Sequence, residues 1–183
     1  MRIEKGNDYY DMVYNKYDHY SLSVDALHSR YIWLYKRILN KLTKHDNVLE
    51  MGCGTGHFAE LMLNEGYNYT LGFDFSEVGI GMCRKRCPYG NFLVDSVYEF
   101  PFDAFEYDTV VSLEVMEHIE KDIEVLQKIP MGKRILFSVP GYDDQAHVRF
   151  FANAEEIEER FSKIFTEFRV ETIGKVYIID ATR

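Results

Sequence analysis

Val48-Leu49-Glu50-Met51-Gly52-Cys53-Gly54-Thr55-Gly56 is the stretch whose reading decides the fold of this chain. A short apolar run carrying one acid leads into glycines at alternate positions, and a helical pattern follows from His57. Such a stretch is a strand delivering its backbone into a sharp turn at a helix N-terminus. Without Cβ atoms, the main-chain N–H groups of the turn can touch a ligand while the helix dipole faces it. The turn therefore predicts a site for a nucleotide-like ligand. Which ligand, and for what chemistry, depends on the rest of the chain.

Downstream of the turn, strand and helix signals alternate. The spacing predicts a helix over about 56–65 closed by Gly66, then a strand from Tyr69 to Phe75 that includes Asp74. Ser76 is placed to cap a helix that Pro88 stops. Further strands are expected at 91–95, 107–113 and 133–139, with helices over 117–129 and 153–164. Asn153 and Glu156 stand at capping-box spacing. The tail reads as two strands around Gly174, a hairpin. Strands alternating with helices imply an α/β protein with a mostly parallel sheet covered on both faces, and the hairpin adds an antiparallel edge.

Upstream, Tyr10, Val13, Tyr14 and Tyr17 fall at helical spacing, a short amphipathic helix opened by Asn7 or Asp8. It serves either as a packed tyrosine face or as a lid over a ligand pocket. Residues 29–44 read as a second helix with Ile32, Tyr35, Ile38, Leu39 and Leu42 on one face and Arg30, Arg37, Lys41 and Lys44 opposite. With 183 residues and no linker or repeat, one domain is expected: residues 1–45 as N-terminal helices or lid, and 46–183 as the ligand-binding core.

A net charge of −9 argues against general nucleic-acid binding, which needs clustered cations. Cys53, Cys83 and Cys87 lack the spacing of a structural zinc site and are expected as free thiols. No segment approaches the ~20 apolar residues of a membrane helix, and the first residues lack a signal-peptide pattern. A cytoplasmic protein with no membrane partner is the expectation, its oligomeric state open.

Ligands of open α/β sheets sit at the carboxyl ends of the strands. Those ends here offer Glu50, Asp74, Asp95 and then Ser112, Leu113 and Glu114. Asp74 lies about twenty residues past the turn, as suits a carboxylate pairing with ribose hydroxyls. An acidic rim favours an adenosine with a cationic or zwitterionic tail over a pyrophosphate. The glycines agree: His57 stands where a dinucleotide turn places its third glycine.

Taken together, residues 48–56, Gly72-Phe-Asp-Phe-Ser76, Asp95 and Val111-Ser-Leu-Glu-Val-Met-Glu-His-Ile119 resemble the class I S-adenosylmethionine-dependent methyltransferases. The motifs are closest to those of small ubiquinone-type O-methyltransferase-like domains. The resemblance implies a three-layer Rossmann-like fold whose seven-stranded sheet is mostly parallel, with an antiparallel C-terminal hairpin strand. It implies that Gly52, Gly54 and Gly56 pack against S-adenosylmethionine, Asp74 holds the ribose and Asp95 the adenine amine. Glu50 would serve the methionine moiety. Phe75, Ser96, Leu113 and Glu114 would complete the cofactor's contacts, and S-adenosylhomocysteine would be the product.

If a helix begins near Glu114, that residue shares a face with Glu117 and His118. With His147 these residues form a candidate divalent-metal set of mixed hard and borderline character. The pattern resembles ubiquinone-type O-methyltransferases and small-RNA 3′-end 2′-O-methyltransferases, where the corresponding segment coordinates metal. Without metal, His118 and His147 are the candidate catalytic bases. Arg149 is expected either to bind an anionic substrate group or to pair with Asp143 or Asp144. A small-molecule acceptor methylated at oxygen is the leading expectation. The alternatives are a metal-assisted RNA-end methyltransferase, a nicotinamide-dependent oxidoreductase and a non-catalytic cofactor-binding protein.

Overall fold

Val48–Met51 forms β1, every residue of it buried, as expected for a strand covered on both faces. The structure is a computed structural model that describes residues 3–26 and 29–183, with side chains for all of these except Ser29 and Arg30. The expected helical position of Arg30 in the basic row therefore concerns a side chain outside the described set. The seven strands make a mixed sheet, mostly parallel, with antiparallel C-terminal strands. By its contacts the chain divides into two compact units, residues 6–100 with 106–108, and residues 1–5, 101–105 and 109–183.

The first unit carries β1, β2 (Tyr69–Asp74) and β3 (Phe92–Val94), in the parallel order β3-β2-β1. Its helices are α1 (Asn7–Lys16), α2 (Ser29–Leu39), α3 (His57–Asn64) and α4 (Glu77–Arg86). The cap of α4 follows from sequence: Ser76 Oγ accepts from Gly79 N at 2.8 Å. The start of α1 does not, because Gly6 is its cap residue and no side chain caps it. Asn7 is the first residue of that helix and Asp8 the second, but neither caps it. Helix α2 stops five residues short of the expected Lys44, and its apolar face buries Leu34, Ile38 and Leu39. Cys53, Ala59, Ile80, Cys83, Cys87 and Phe92 form a buried cluster between helices and sheet, with the three thiols free.

The second unit carries β4 (Thr109–Leu113), β5 (Arg134–Pro140), β6 (Glu167–Ile173) and β7 (Val176–Thr182). Strand β5 pairs parallel with β4 and antiparallel with β7, and β7 pairs antiparallel with β6. Helix α6 (Ala154–Phe161) is capped as its sequence indicates, Asn153 Oδ1 accepting from Glu156 N at 2.9 Å. Its Phe161 packs edge-on against Phe137 of β5.

One expectation fails here. The helix predicted over 117–129 is instead a 3-10 turn at Met116–His118 followed by the short helix α5 (Asp122–Gln127). The carbonyls that a longer helix would use internally are engaged elsewhere: Glu117 O accepts from Val148 N and Arg149 N. Those of Met116, Ile119 and Glu120 accept from the Arg149 guanidinium. None of the helices built from described residues is long and apolar enough to cross a membrane.

Candidate functional site

In the first unit the glycine turn is held in shape by internal contacts. Gly52, Gly54 and Gly56 all have positive φ, at 72°, 54° and 82°, where L side chains are strained. A Cβ on Gly56 would lie 2.9 Å from Cys83 Sγ and 3.2 Å from Cys83 Cα, so α4 itself requires glycine there. A Cβ on Gly54 would lie 3.3 Å from the Tyr14 hydroxyl. Helix α1 therefore covers part of the turn, which sequence periodicity alone left open.

Asp74 ends β2 beside this turn. Its Oδ2 accepts from Gly54 N and its Oδ1 from Ser76 N, each at 2.9 Å. One carboxylate thus ties the glycine turn to the start of α4. Burial pushes its carboxyl up to about 6, against the lowering effect of those two N–H groups. Phe75 is half-buried and its ring lies 5.3 Å from that of Tyr10. Asp95 follows β3, its N–H donating to Asp74 O at 3.0 Å and its Oδ1 accepting from Ser96 N at 2.7 Å. Asp74, Asp95 and Ser96 are therefore consecutive links of one hydrogen-bonded run.

Glu50 stands differently. Its carboxylate is buried and accepts from the Tyr69 hydroxyl at 2.6 Å. Burial pushes it up to about 8, the Tyr69 bond opposing and Asp74 adding to the rise. Tyr69 is a partner that no local pattern in the sequence announces. A carboxyl raised from 4.5 to about 8 is protonated when folded and ionised when unfolded between those values. The unfolded state then binds fewer protons, so stability declines as pH rises through that window. His57 and His118, both pushed down to about 4 mainly by burial, act oppositely, but only below about 6.5. From pH 6.5 to 8 the melting temperature of the ligand-free protein is therefore expected to fall. Thermal melts of Glu50→Gln across that range should show a shallower decline, and an unchanged slope would contradict the assignment.

His57 and Arg86 hold the residues after α1. His57 Nε2 donates to Leu22 O at 3.0 Å while its Nδ1 accepts from Thr55 Oγ1, also at 3.0 Å. Arg86 donates to Thr55 O, Leu22 O and Tyr20 O and pairs with Glu60 at 3.0 Å. At the other flank Asp11 of α1 accepts from Ser76 Oγ. The tyrosine-rich segment is thus fastened to the helices that flank the turn, to the cap of α4 near one end and to α3 and α4 at the other. Sequence reasoning missed these residues because their partners lie tens of positions away.

The second unit holds the remaining candidates. Leu113 closes β4, and Glu114 follows at φ 56°. Glu114 N donates to Ser138 O and Ser138 Oγ, and its Oε1 accepts from the same hydroxyl at 3.0 Å. Three other residues converge: ligand-capable atoms of Glu117, His118 and His147 all lie within 4.8 Å of one another. His118 Nε2 is 3.6 Å from Glu117 Oε1, and the two imidazole centroids are 4.9 Å apart. Because Ala146 O can only accept, His118 Nδ1 carries the proton that reaches it at 3.1 Å. That leaves Nε2 with its lone pair directed to the cluster. Glu117 is fully buried, and neither carboxylate oxygen has a hydrogen-bond donor among the described residues. Burial, then the Glu114 charge, pushes it well above the usual carboxylate range.

The comparisons with known proteins agree with this architecture. A protein-family profile described as "Methyltransferase domain" matches residues 25–173. The chain belongs to the methyltransferase domain family. Its membership places it in the class I S-adenosylmethionine-dependent superfamily, as the motifs imply. A probable S-adenosylmethionine-dependent methyltransferase of Mycolicibacterium smegmatis is 30% identical over 86 residues, covering 47% of this chain and 33% of that protein. A ubiquinone biosynthesis O-methyltransferase of Acinetobacter baumannii is 25% identical over 120 residues, 60% of this chain and 50% of that protein. The chain thus spans about a third to a half of the length of these curated relatives. Among solved structures, a Thermotoga maritima methyltransferase described as a possible histamine N-methyltransferase shares the fold. It superposes at a TM-score of 0.72 with 18% identity, over 96% of this chain and 98% of that one.

Proposed function

We propose that this methyltransferase domain transfers a methyl group from S-adenosylmethionine to a small-molecule acceptor, with oxygen the favoured acceptor atom. The observation that carries the donor assignment is the Asp74 carboxylate. It braces Gly54 and Ser76 at a turn of positive-φ glycines, where a pyrophosphate would meet a negative charge. In this reading Asp74 holds the ribose, Asp95 and Ser96 the adenine, and Phe75 the ring face. Glu50, behind the turn, acts on the methionine ammonium through the field of its carboxyl. A buried acid neutral below about pH 8 would ionise against a cation. Leu113 and Glu114 complete the expected set. Displacement at the sulfonium methyl needs alignment and exclusion of water more than covalent help from the protein.

His118 and His147 are the proposed acceptor-side bases. Held neutral by burial, His118 can take a proton from an acceptor hydroxyl. The relative named for ubiquinone biosynthesis supports oxygen as the acceptor atom. Three free thiols fit a cytoplasmic setting.

Thermal melts with S-adenosylhomocysteine, with NADH and without ligand test the donor assignment. A ligand at about 100-fold its Kd stabilises by about 2.7 kcal/mol. At this chain length that is a rise of roughly 5–10 °C. S-adenosylhomocysteine should produce it and NADH should not. No rise at saturating S-adenosylhomocysteine would remove the reading, and a rise without turnover on any hydroxyl acceptor would leave a binding protein.

A second reading has its own observation. The donor-free buried carboxylate of Glu117, facing two imidazoles, suits a divalent cation of borderline character. Glu117, His118 and His147 would hold it, with Glu114 instead engaged by Ser138. Such a cation would lower the pKa of an acceptor hydroxyl and orient its oxygen. This is the arrangement by which a metal-assisted methyltransferase of RNA 3′ ends would work, against which the net charge of −9 counts.

A further inference from the structure

Glu117 and His118 lie on a 3-10 turn, whereas His147 lies in the loop after β5. The two segments do not share a regular element and are held together by cross-contacts, one of them His118 Nδ1 donating to Ala146 O at 3.1 Å. Arg149 supplies most of the others. Its Nη1 donates to Met116 O at 2.8 Å and to Ile119 O, and its Nη2 donates to Glu120 O at 2.8 Å. Its own N–H, at 3.3 Å, and that of Val148, at 2.9 Å, donate to Glu117 O. The guanidinium therefore wraps the carbonyl side of the turn that carries Glu117 and His118. Its backbone holds that turn two residues from His147.

The guanidinium is itself braced. Asp122 Oδ2 lies 3.1 Å from Arg149 Nη1. The same carboxylate accepts from Arg160 Nε at 2.8 Å and Arg160 Nη2 at 2.6 Å. Asp122 is fully buried, so this attraction is little screened by solvent. A planar fork of fixed donors can serve several carbonyls and a carboxylate together, which a point-charge ammonium cannot. The sequence offered Arg149 as an anion binder or a partner of Asp143 or Asp144. Its contacts with the turn add a task that the sequence does not announce.

We propose that Arg149, braced by Asp122 and Arg160, is the positioning residue that sets the spacing of the Glu117–His118 turn and His147 for a divalent cation. This rests on the cation-binding reading of the cluster given above. Groups that orient metal ligands without touching the metal change its affinity by roughly 10–100-fold when removed.

Calorimetric Co²⁺ titration, together with the visible absorption of the bound ion, tests this on wild type, His118→Ala, Arg149→Met and Arg149→Lys. Wild type should bind Co²⁺ and His118→Ala should not. Both Arg149 variants should bind roughly 10–100-fold more weakly, with a changed absorption band reporting altered ligand geometry. Wild-type affinity and spectrum in both Arg149 variants, alongside loss in His118→Ala, would overturn the positioning role and leave the cation site standing. Equal Co²⁺ uptake by wild type and His118→Ala would instead remove the cation site, and the proposal with it. Far-UV circular dichroism monitors folding, and if Arg149→Met does not fold, Arg149→Lys decides by the same two criteria.

Discussion

Asp122→Ala is expected to destabilise the protein by about 3–5 kcal/mol, the usual cost of stripping one partner from a buried ion pair. The residue is fully buried and accepts from both Arg160 donors, with Arg149 Nη1 at 3.1 Å. Truncation leaves two guanidinium groups without the buried carboxylate that they share. At 183 residues each kcal/mol moves the melting temperature by roughly 2–4 °C. The expected fall is therefore roughly 6–20 °C, read by calorimetry or circular dichroism. Asp122→Asn keeps the shape and loses the charge, so it should fall between the two. Arg160→Met should cost less, because the Arg160 side chain is about one-third exposed and water can replace part of what it loses. A melting temperature within 2 °C of wild type for Asp122→Ala would mean that the network contributes little to the fold.

Asp74→Ala should weaken S-adenosylhomocysteine binding by roughly 100-fold or more. Two N–H groups, of Gly54 and Ser76, lose their acceptor, and each bond to a charged group contributes about 1.5–3 kcal/mol. Loss of about 3 kcal/mol of ordering at the turn corresponds to more than two decades of affinity. Loss of a direct ribose contact would add to that. Asp74→Asn retains one acceptor oxygen but turns an amide NH₂ toward the other N–H, so its loss should be nearly as large. Isothermal titration on protein verified as folded separates binding from stability. Affinity within threefold of wild type for Asp74→Ala would remove Asp74 from the cofactor's contacts and weaken the donor assignment.

Much of the fold is legible because its signals are local. Strand β2 ends at Asp74 with Ser76 as the following helix cap, and Asn153 caps α6, because a cap depends on residues within one helical turn. The parallel strands announce themselves as continuous buried runs, such as Val110 and Val111 in β4. The region expected as a helix over 117–129 departs from that form for the opposite reason. Its apolar spacing is helical, but Arg149, about thirty residues later, competes for its carbonyls and opens the first turns. Glu114 was expected to share a helix face with Glu117 and His118, and that geometry went with the helix. Its carboxylate is engaged by Ser138 instead. The gathering of Glu117, His118 and His147 nevertheless occurs, through a loop contact that no periodicity encodes.

What the sequence by itself determined is the glycine turn, its strand and helix, the acids that follow and the family to which they belong. These depend on residue types at short, fixed spacings, where backbone geometry leaves few choices. Tertiary structure alone decided which of those residues have other work. Gly56 must be glycine because Cys83 leans against it, and Glu50 shares its proton-bearing neighbourhood with Tyr69. Tyr14 covers Gly54 from a helix forty residues upstream, and the Arg149 guanidinium donates to carbonyls of a turn about thirty residues before it. Each of these rests on a contact between distant positions, and the energy of such a contact depends on distances that only the folded chain sets.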